Sequence, residues 1–90
     1  MKRVRLVISG KVQGVCFRAY TREFADAHGI TGYAKNLENG DVECIFVGDE
    51  RSVEQIIDYC KNGQPHARVR DVVVERIDDT TARFKGFQIY

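Results

Sequence analysis

The sequence predicts an α+β fold, an antiparallel sheet with two helices packed on one face and a short extra strand at the C-terminal end. Alternating and helical apolar patterns follow one another in the order strand, helix, strand, strand, helix, strand. The pair Asn39-Gly40 separates the second and third strand patterns, and such a pair is the strongest short signal for a hairpin. A last alternating segment, residues 84–90, supplies the extra strand.

The composition is that of one small globular domain. The chain has 90 residues, of which 43% are hydrophobic and 30% charged, and these shares are ordinary for a domain with a single core. Its net charge of +1 gives no field that would attract nucleic acid or an anionic membrane. Apolar runs of about five residues are too short for a membrane span or a signal peptide. We therefore expect residues 1–90 to form one monomeric cytoplasmic domain with no nucleic-acid or membrane partner.

The three cysteines, Cys16, Cys44 and Cys60, are widely spaced and odd in number. This argues against a disulfide framework and favours a reducing compartment. Cys44 falls in an apolar strand pattern and Cys60 on an apolar helix stripe, so both are predicted to be small core residues.

The first strand is predicted at residues 3–9, where apolar residues occupy every second position. A glycine-containing loop leads to a helix at residues 17–28, which Gly29 ends. Helical spacing predicts one buried face for this helix, formed by Phe17, Tyr20, Phe24 and Ala27. Arg18 lies on a different, solvated face of this helix, so its side chain can contact an anion held by the loop.

The second strand is predicted at residues 31–37 and the third at 41–47, joined by a type I′ turn at Asn39-Gly40. Because side chains alternate along a strand, Asn36 shares a face with the apolar Ala34. Asn36 is therefore a polar residue at a strand end, on a face that otherwise reads as apolar.

The second helix is predicted at residues 50–61, capped by Asp49 or by a Ser52–Gln55 capping box. The fourth strand is predicted at residues 67–77, with a β-bulge near Arg70-Asp71, because its apolar alternation changes phase there. A polar connection at residues 78–83 leads to the last strand. This order is the split βαβ, or ferredoxin-like, arrangement.

The loop between the first strand and first helix predicts a phosphate site. A strand that turns through two glycines into a helix presents successive backbone N–H groups, and the helix N-terminus adds its positive end. An arginine in the first helical turn can grip phosphate oxygens in pairs. The predicted cradle consists of Gln13, Gly14, Val15, Cys16, Phe17 and Arg18.

Less specific interpretations stay open at this point. Glycine-containing turns often only allow the chain to change direction and bind no ligand. Taken singly, Arg18 could be an ordinary surface residue and Asn36 an ordinary strand-end residue. Cys16 and Arg22 have the spacing of a cysteine-dependent phosphatase, although the intervening residues lack glycine and read as helix. His28 and His66 have no metal-ligand spacing around them, so no metal site is predicted.

The same residues resemble the acylphosphatase family over nearly the whole chain. The most specific block is residues 10–18, GKVQGVCFR; the others are residues 32–36, 39–43, 63–69 and 87–89. The resemblance implies hydrolysis of acyl phosphates without a metal or other cofactor, with inorganic phosphate as product and inhibitor. It implies that Arg18 binds phosphate together with the loop amides and that Asn36 orients the attacking water.

This chain departs from the family pattern at three places. Cys16 stands where many members have glycine, and Tyr59 stands where tryptophan is common. The C-terminal segment Phe87-Gln88-Ile89-Tyr90 is one residue shorter than in most family members. The sequence therefore does not decide whether the terminal carboxylate contacts Arg18. A non-catalytic ferredoxin-like module that binds phosphate or another ligand is the alternative from a different class.

Overall fold

The computed structural model describes residues 1–77 and 84–90, and the predicted polar connection at residues 78–83 lies outside them. The elements are β1 Lys2–Lys11, α1 Phe17–Ala27, β2 Thr31–Asn36, β3 Val42–Gly48, α2 Glu50–Asp58, a π-helical turn Tyr59–Gly63, β4 Arg68–Arg76 and β5 Phe87–Ile89. Their order confirms the predicted α+β, ferredoxin-like arrangement.

The strands of the described residues form one sheet in the order β4-β1-β3-β2-β5. The pairs β1–β3, β1–β4 and β2–β3 are antiparallel, as the fold class requires. The short last strand β5 instead runs parallel to β2, with Gly32 opposite Phe87 and Ala34 opposite Ile89. The pairing places the end of the last strand beside the end of β2, where Asn36 lies.

The core lies between the sheet and the two helices. Alternate residues of β1 point into it and meet apolar residues of both helices; the fully buried members include Val4, Leu6, Ile8, Phe17, Val53 and Ile56. Cys44 and Cys60 are completely buried in the same core, which confirms their prediction as core residues. None of the helices in the described part of the chain has the length and apolar character needed to cross a membrane.

The buried face of α1 differs from the predicted one. Phe17, Thr21 and Ala25 are the buried residues of this helix, whereas Tyr20 and Phe24 lie at its margin and Ala27 is exposed. Thr21 can be buried because its hydroxyl donates to the Phe17 carbonyl oxygen, 2.8 Å away. A hydroxyl that bonds its own helix carries little polar cost, so the polar residue type misled the prediction.

The predicted β-bulge is present. Ser9 pairs with Asp71 but Gly10 pairs with Val69, so Arg70 is the extra residue of β4. Gly10 has a φ of 120°, a backbone conformation that favours glycine. The bulge therefore lies at the end of β1 that leads into the predicted phosphate loop.

The predicted type I′ turn is wrong. That turn needs positive φ at both central residues, and Gly40 has a positive φ of 96° whereas Asn39 does not. The chain instead closes a longer turn, in which the Gly40 N–H donates to the Leu37 oxygen at 3.2 Å and the Leu37 N–H donates to the Asp41 oxygen at 2.8 Å. Asn39 stays at negative φ because its side-chain oxygen accepts the Asp41 N–H at 3.0 Å.

The second helix begins as predicted and ends earlier. Asp49 is its cap and accepts the Ser52 N–H at 2.9 Å, so the alternative capping box is not used. Regular α-helix ends at Asp58, and the π-helical turn follows. Gly63, the last residue of this turn, lies so close to Tyr59 that a Cβ on it would be 2.8 Å from the Tyr59 ring.

Candidate active site

The loop between β1 and α1 has the backbone geometry of an anion cradle. Gly14 has a φ of 76°, and Cys16, the residue that caps α1, has φ 61° and ψ 23°. Left-handed residues among ordinary ones turn successive N–H groups toward one point. The Cys16 side chain makes no capping hydrogen bond, so the first N–H groups of α1 keep their capacity for an external anion.

Buried apolar side chains hold this loop against the core. Val12 before the turn and Phe17 after it are each 1% exposed, and Val15 packs against the core cluster. The side chains of Val15 and Phe17 therefore serve as anchors, while the main chain between them is presented. The burial of these side chains agrees with the prediction that the loop contacts an anion through its backbone N–H groups rather than through most of its side chains.

A cavity of about 330 Å³ opens beside the loop and brings the two predicted working side chains, Arg18 and Asn36, together. Its lining residues are Val12, Gly14, Cys16, Phe17, Arg18, Ala19, Asn36 and Ile89. The Gln13 side chain lies outside this lining and points to the β2–β3 turn. Sequence reasoning missed Val12 and Ala19, which flank the predicted cradle, and Ile89, since no short motif reveals that β5 lies beside β2.

The Arg18 guanidinium lies at the mouth of this cavity and is held from one side. Its Nη1 donates to the main-chain oxygen of Tyr90 at 2.5 Å, so the short C-terminal segment does contact Arg18. No other hydrogen bond joins this guanidinium to a described residue. A fixed arginine fork with unused donors suits the paired oxygens of a phosphoryl group.

Asn36 carries an unusual buried acceptor. Its Oδ1 atom has less than 1 Å² exposed and no hydrogen-bond partner among the described residues. A buried acceptor left unsatisfied costs about 1–3 kcal/mol, and such groups call for an explanation by a water, a ligand or catalysis. The orphaned oxygen therefore marks a place for a hydrogen-bond donor next to the cradle.

The opposite face of the sheet carries a charged network. The Tyr33 hydroxyl donates to Glu43 Oε1 at 2.9 Å, and Arg5 Nε donates to Glu43 Oε2 at 2.6 Å. Partial burial, followed by the hydrogen bond to Glu43, raises the pKa of Tyr33 to about 12. Burial alone would raise the pKa of Glu43, but the hydrogen bonds from Tyr33 and Arg5 outweigh it and hold that pKa below its usual value.

The other candidate residues do not form a second site. Cys16 is an exposed free thiol, and the residues between it and Arg22 are helical, as the sequence indicated. His28 stacks on Phe24 with ring centroids 4.1 Å apart, and the His66 ring lies 6.1 Å from that of Tyr20. Across residues 1–77 and 84–90, no group of three or more metal-binding side chains comes together.

The fold and this loop define a class of protein: a two-layer α+β domain with a glycine-containing loop in left-handed conformation between its first strand and first helix. The family model Acylphosphatase matches residues 4–89. An acylphosphatase of Rubrobacter xylanophilus is 43% identical over 98% of this chain and 79% of its own length. One of Pelotomaculum thermopropionicum is 47% identical over 97% of this chain and 94% of its own.

A solved structure agrees with these relatives. The crystal structure of acylphosphatase from Bacillus subtilis superposes with a TM-score of 0.91 at 31% identity, covering 100% of this chain and 99% of that one. The chain belongs to the acylphosphatase family, enzymes that act on small-molecule acyl phosphates. Its function is therefore acylphosphatase activity.

Proposed function

We propose that this chain hydrolyses the carboxyl–phosphate bond of acyl phosphates without a metal ion, using its loop backbone, Arg18 and Asn36. The backbone from Gln13 to Arg18 and the Arg18 guanidinium hold the phosphoryl group, and Asn36 orients the attacking water. One observation carries this proposal: Arg18 and Asn36 line one cavity at the N-terminus of α1, and the Asn36 Oδ1 atom has no hydrogen-bond partner among the described residues.

The chemistry needs positioning and charge stabilisation more than acid catalysis. The water oxygen attacks phosphorus, the bond from phosphorus to the acyl oxygen breaks, and the carboxylate leaves with the bonding electrons. The water proton passes to a phosphate oxygen, so the products are carboxylate and inorganic phosphate. Because a carboxylate is a good leaving group, the work left to the protein is to stabilise charge on the equatorial phosphoryl oxygens.

The cradle supplies this stabilisation with fixed donors. Each backbone donor aimed at developing charge contributes roughly 3–4 kcal/mol to the transition state. An arginine on the transferring phosphoryl group can contribute on the order of 10³–10⁵ in rate. Arg18 is suited to this role because the Tyr90 oxygen holds Nη1 while its other donors remain unused by described residues.

Asn36 orients the water rather than deprotonating it. An amide accepts a hydrogen bond through its oxygen and donates through its nitrogen, but it has no basicity at neutral pH. The buried Oδ1 without a partner is the acceptor that a water hydrogen would satisfy.

The proposed partners are a small acyl phosphate as substrate and inorganic phosphate as product and inhibitor. The proposed state is a monomer, because one chain supplies both Arg18 and Asn36 to the cavity and the proposed chemistry needs no residue from a second copy. A near-neutral charge of +1 supports the absence of a nucleic-acid or anionic membrane partner. Three free cysteines support a reducing compartment, the cytoplasm.

Hydrolysis of a simple aryl acyl phosphate in the presence of a chelator tests the proposal. We expect chelator-resistant turnover that Arg18→Ala abolishes and Cys16→Ser retains. Loss of turnover in Cys16→Ser would indicate a cysteine-dependent phosphatase. Phosphate binding without turnover in the wild type would indicate a binding module.

A further inference from the structure

The Gln13 side chain joins the phosphate loop to the β2–β3 turn. Its Nε2 atom donates one hydrogen bond to the Leu37 oxygen at 2.8 Å and another to the Asp41 oxygen at 2.9 Å. A primary amide nitrogen has two hydrogens, so both donors are used, one on each side of the turn.

The two carbonyl groups belong to the residues that frame Asn36 in the sheet. Leu37 directly follows Asn36, and Asp41 directly precedes Val42, the residue that pairs with Asn36 across the sheet. The Leu37 N–H also donates to the Asp41 oxygen at 2.8 Å. A single side chain thus bonds to the main-chain segment next to Asn36 and to the segment next to its strand partner.

The cradle itself has other anchors. Val12 and Phe17 are each 1% exposed and Val15 packs against the core, so apolar burial holds the loop whether or not Gln13 reaches the turn. The Asn36 end of β2 leads into an exposed turn, where Glu38 and Asn39 are open to solvent. Removing the Gln13 bonds should therefore release the Asn36 side of the site more than the phosphate side.

We infer that the side chain of Gln13 is a positioning residue that sets the distance between the phosphate cradle and the water held by Asn36. The inference rests on the proposed function, because it assigns Gln13 an effect that acts through Asn36. It is separate from the role proposed for the Gln13 backbone N–H, which any residue except proline would retain at this position.

The variant Gln13→Met tests the inference, since methionine keeps nearly the length of the side chain and removes both donors. A displacement of about 1 Å at a reacting centre costs on the order of 100-fold in rate, so we expect kcat for an aryl acyl phosphate to fall roughly 10- to 100-fold. The dissociation constant of inorganic phosphate should stay within about twofold, because apolar burial and Arg18 still hold the cradle.

A double-mutant cycle with Asn36→Ala separates positioning from a general loss of structure. If Gln13 acts through Asn36, Gln13→Met should lower kcat by no more than about twofold in the Asn36→Ala background. Gln64→Met is the matched control, because Gln64 is also half-buried and donates through Nε2, but to Thr21 Oγ1 at 2.7 Å. Its effect should add to that of Asn36→Ala.

Each outcome decides the question. Equal losses from Gln13→Met in both backgrounds, or phosphate affinity that falls in step with kcat, would overturn the inference and leave the proposed function intact. Near-wild-type turnover in Asn36→Ala would overturn the proposed water role and the inference with it. If Gln13→Met fails to fold, Gln13→Ala provides the same cycle, since alanine also lacks both donors and adds no charge.

Discussion

Gly10 lies so close to the main chain of Arg68 that a Cβ atom on Gly10 would be 2.2 Å from the Arg68 carbonyl oxygen. The same Cβ would be 2.6 Å from the Arg70 nitrogen, and the φ of Gly10 is 120°. The approach occurs at the β-bulge, immediately before the predicted phosphate loop. Glycine at position 10 is therefore a requirement of strand packing as well as part of the family's loop motif.

Gly10→Ala should destabilise the fold strongly. The added methyl group meets backbone atoms that cannot rotate away, and the positive φ adds strain, so we expect a loss of about 3 kcal/mol or more in the free energy of unfolding. Gly86→Ala is the matched control, because Gly86 also has a positive φ, 74°, but nothing within 4 Å of the added atom. It should lose only about 1–2 kcal/mol. Similar denaturant midpoints for the two variants would contradict this account.

Arg18→Lys should lose nearly as much turnover as Arg18→Ala. Lysine keeps the charge but loses the planar fork that holds two phosphoryl oxygens, and we expect a fall in kcat/KM on the order of 10³-fold. Steady-state hydrolysis of an aryl acyl phosphate measures it, with Arg22→Lys on the exposed side of α1 as the control. Near-normal turnover in Arg18→Lys would refute the bidentate clamp.

Asn36→Ala should lower turnover far more than phosphate affinity. The amide oxygen is proposed to contact the water, so we expect kcat to fall on the order of 100-fold while inhibition by inorganic phosphate stays close to that of the wild type. Asn62→Ala is the control, since the Asn62 amide bonds Asp58 on the surface at 3.0 Å. Equal losses in kcat and in phosphate affinity would show that Asn36 binds phosphate instead.

Tyr33→Phe should change how stability depends on pH. The folded-state pKa of Tyr33 is raised to about 12 and the unfolded value is about 10, so the stability that its hydroxyl contributes is fully present below about pH 10 and is lost as the pH rises toward 12. At neutral pH we expect Tyr33→Phe to cost about 1 kcal/mol, allowing for the partial exposure of the pair.

Urea unfolding of wild type and Tyr33→Phe between neutral pH and about pH 11 measures this change. The difference in unfolding free energy should shrink above about pH 10. Tyr20→Phe, at a ring that packs beside His66, controls for loss of a phenol in general. A difference that stays constant across this range would mean that the Tyr33–Glu43 bond does not form in solution.

Regular periodicity allowed most of the fold to be predicted from sequence. Three patterns each predicted one structure, and all three predictions are confirmed. The alternation in β1 predicted a strand, the apolar stripe around Val53 and Ile56 predicted a buried helix face, and the phase change at Arg70 predicted a β-bulge. For the site, the glycine spacing predicted the loop and the alternation around Ala34 singled out Asn36; the structure brings both to one cavity, and their roles stay predictions. Both predictions used only local geometry.

The remaining features depend on contacts between distant residues. Thr21 is buried because its own helix satisfies its hydroxyl, and no periodicity of residue types reveals that bond. The turn after Asn36 departs from type I′ as side-chain and backbone bonds to Asp41 close a longer loop. The parallel pairing of β5 with β2 follows from the assembled sheet, so the contribution of Ile89 to the cavity could not be predicted.

The arrangement of β1 between β3 and β4 also bears on how activity develops during folding. Both neighbours of β1 lie more than thirty positions away along the chain, and pairings of such high contact order form slowly because loop-closure entropy is lost before the contacts stabilise. Because the glycine loop follows β1 directly, we expect it to reach its final conformation only after these pairings are made. Recovery of hydrolysis should therefore coincide with the last cooperative step of refolding.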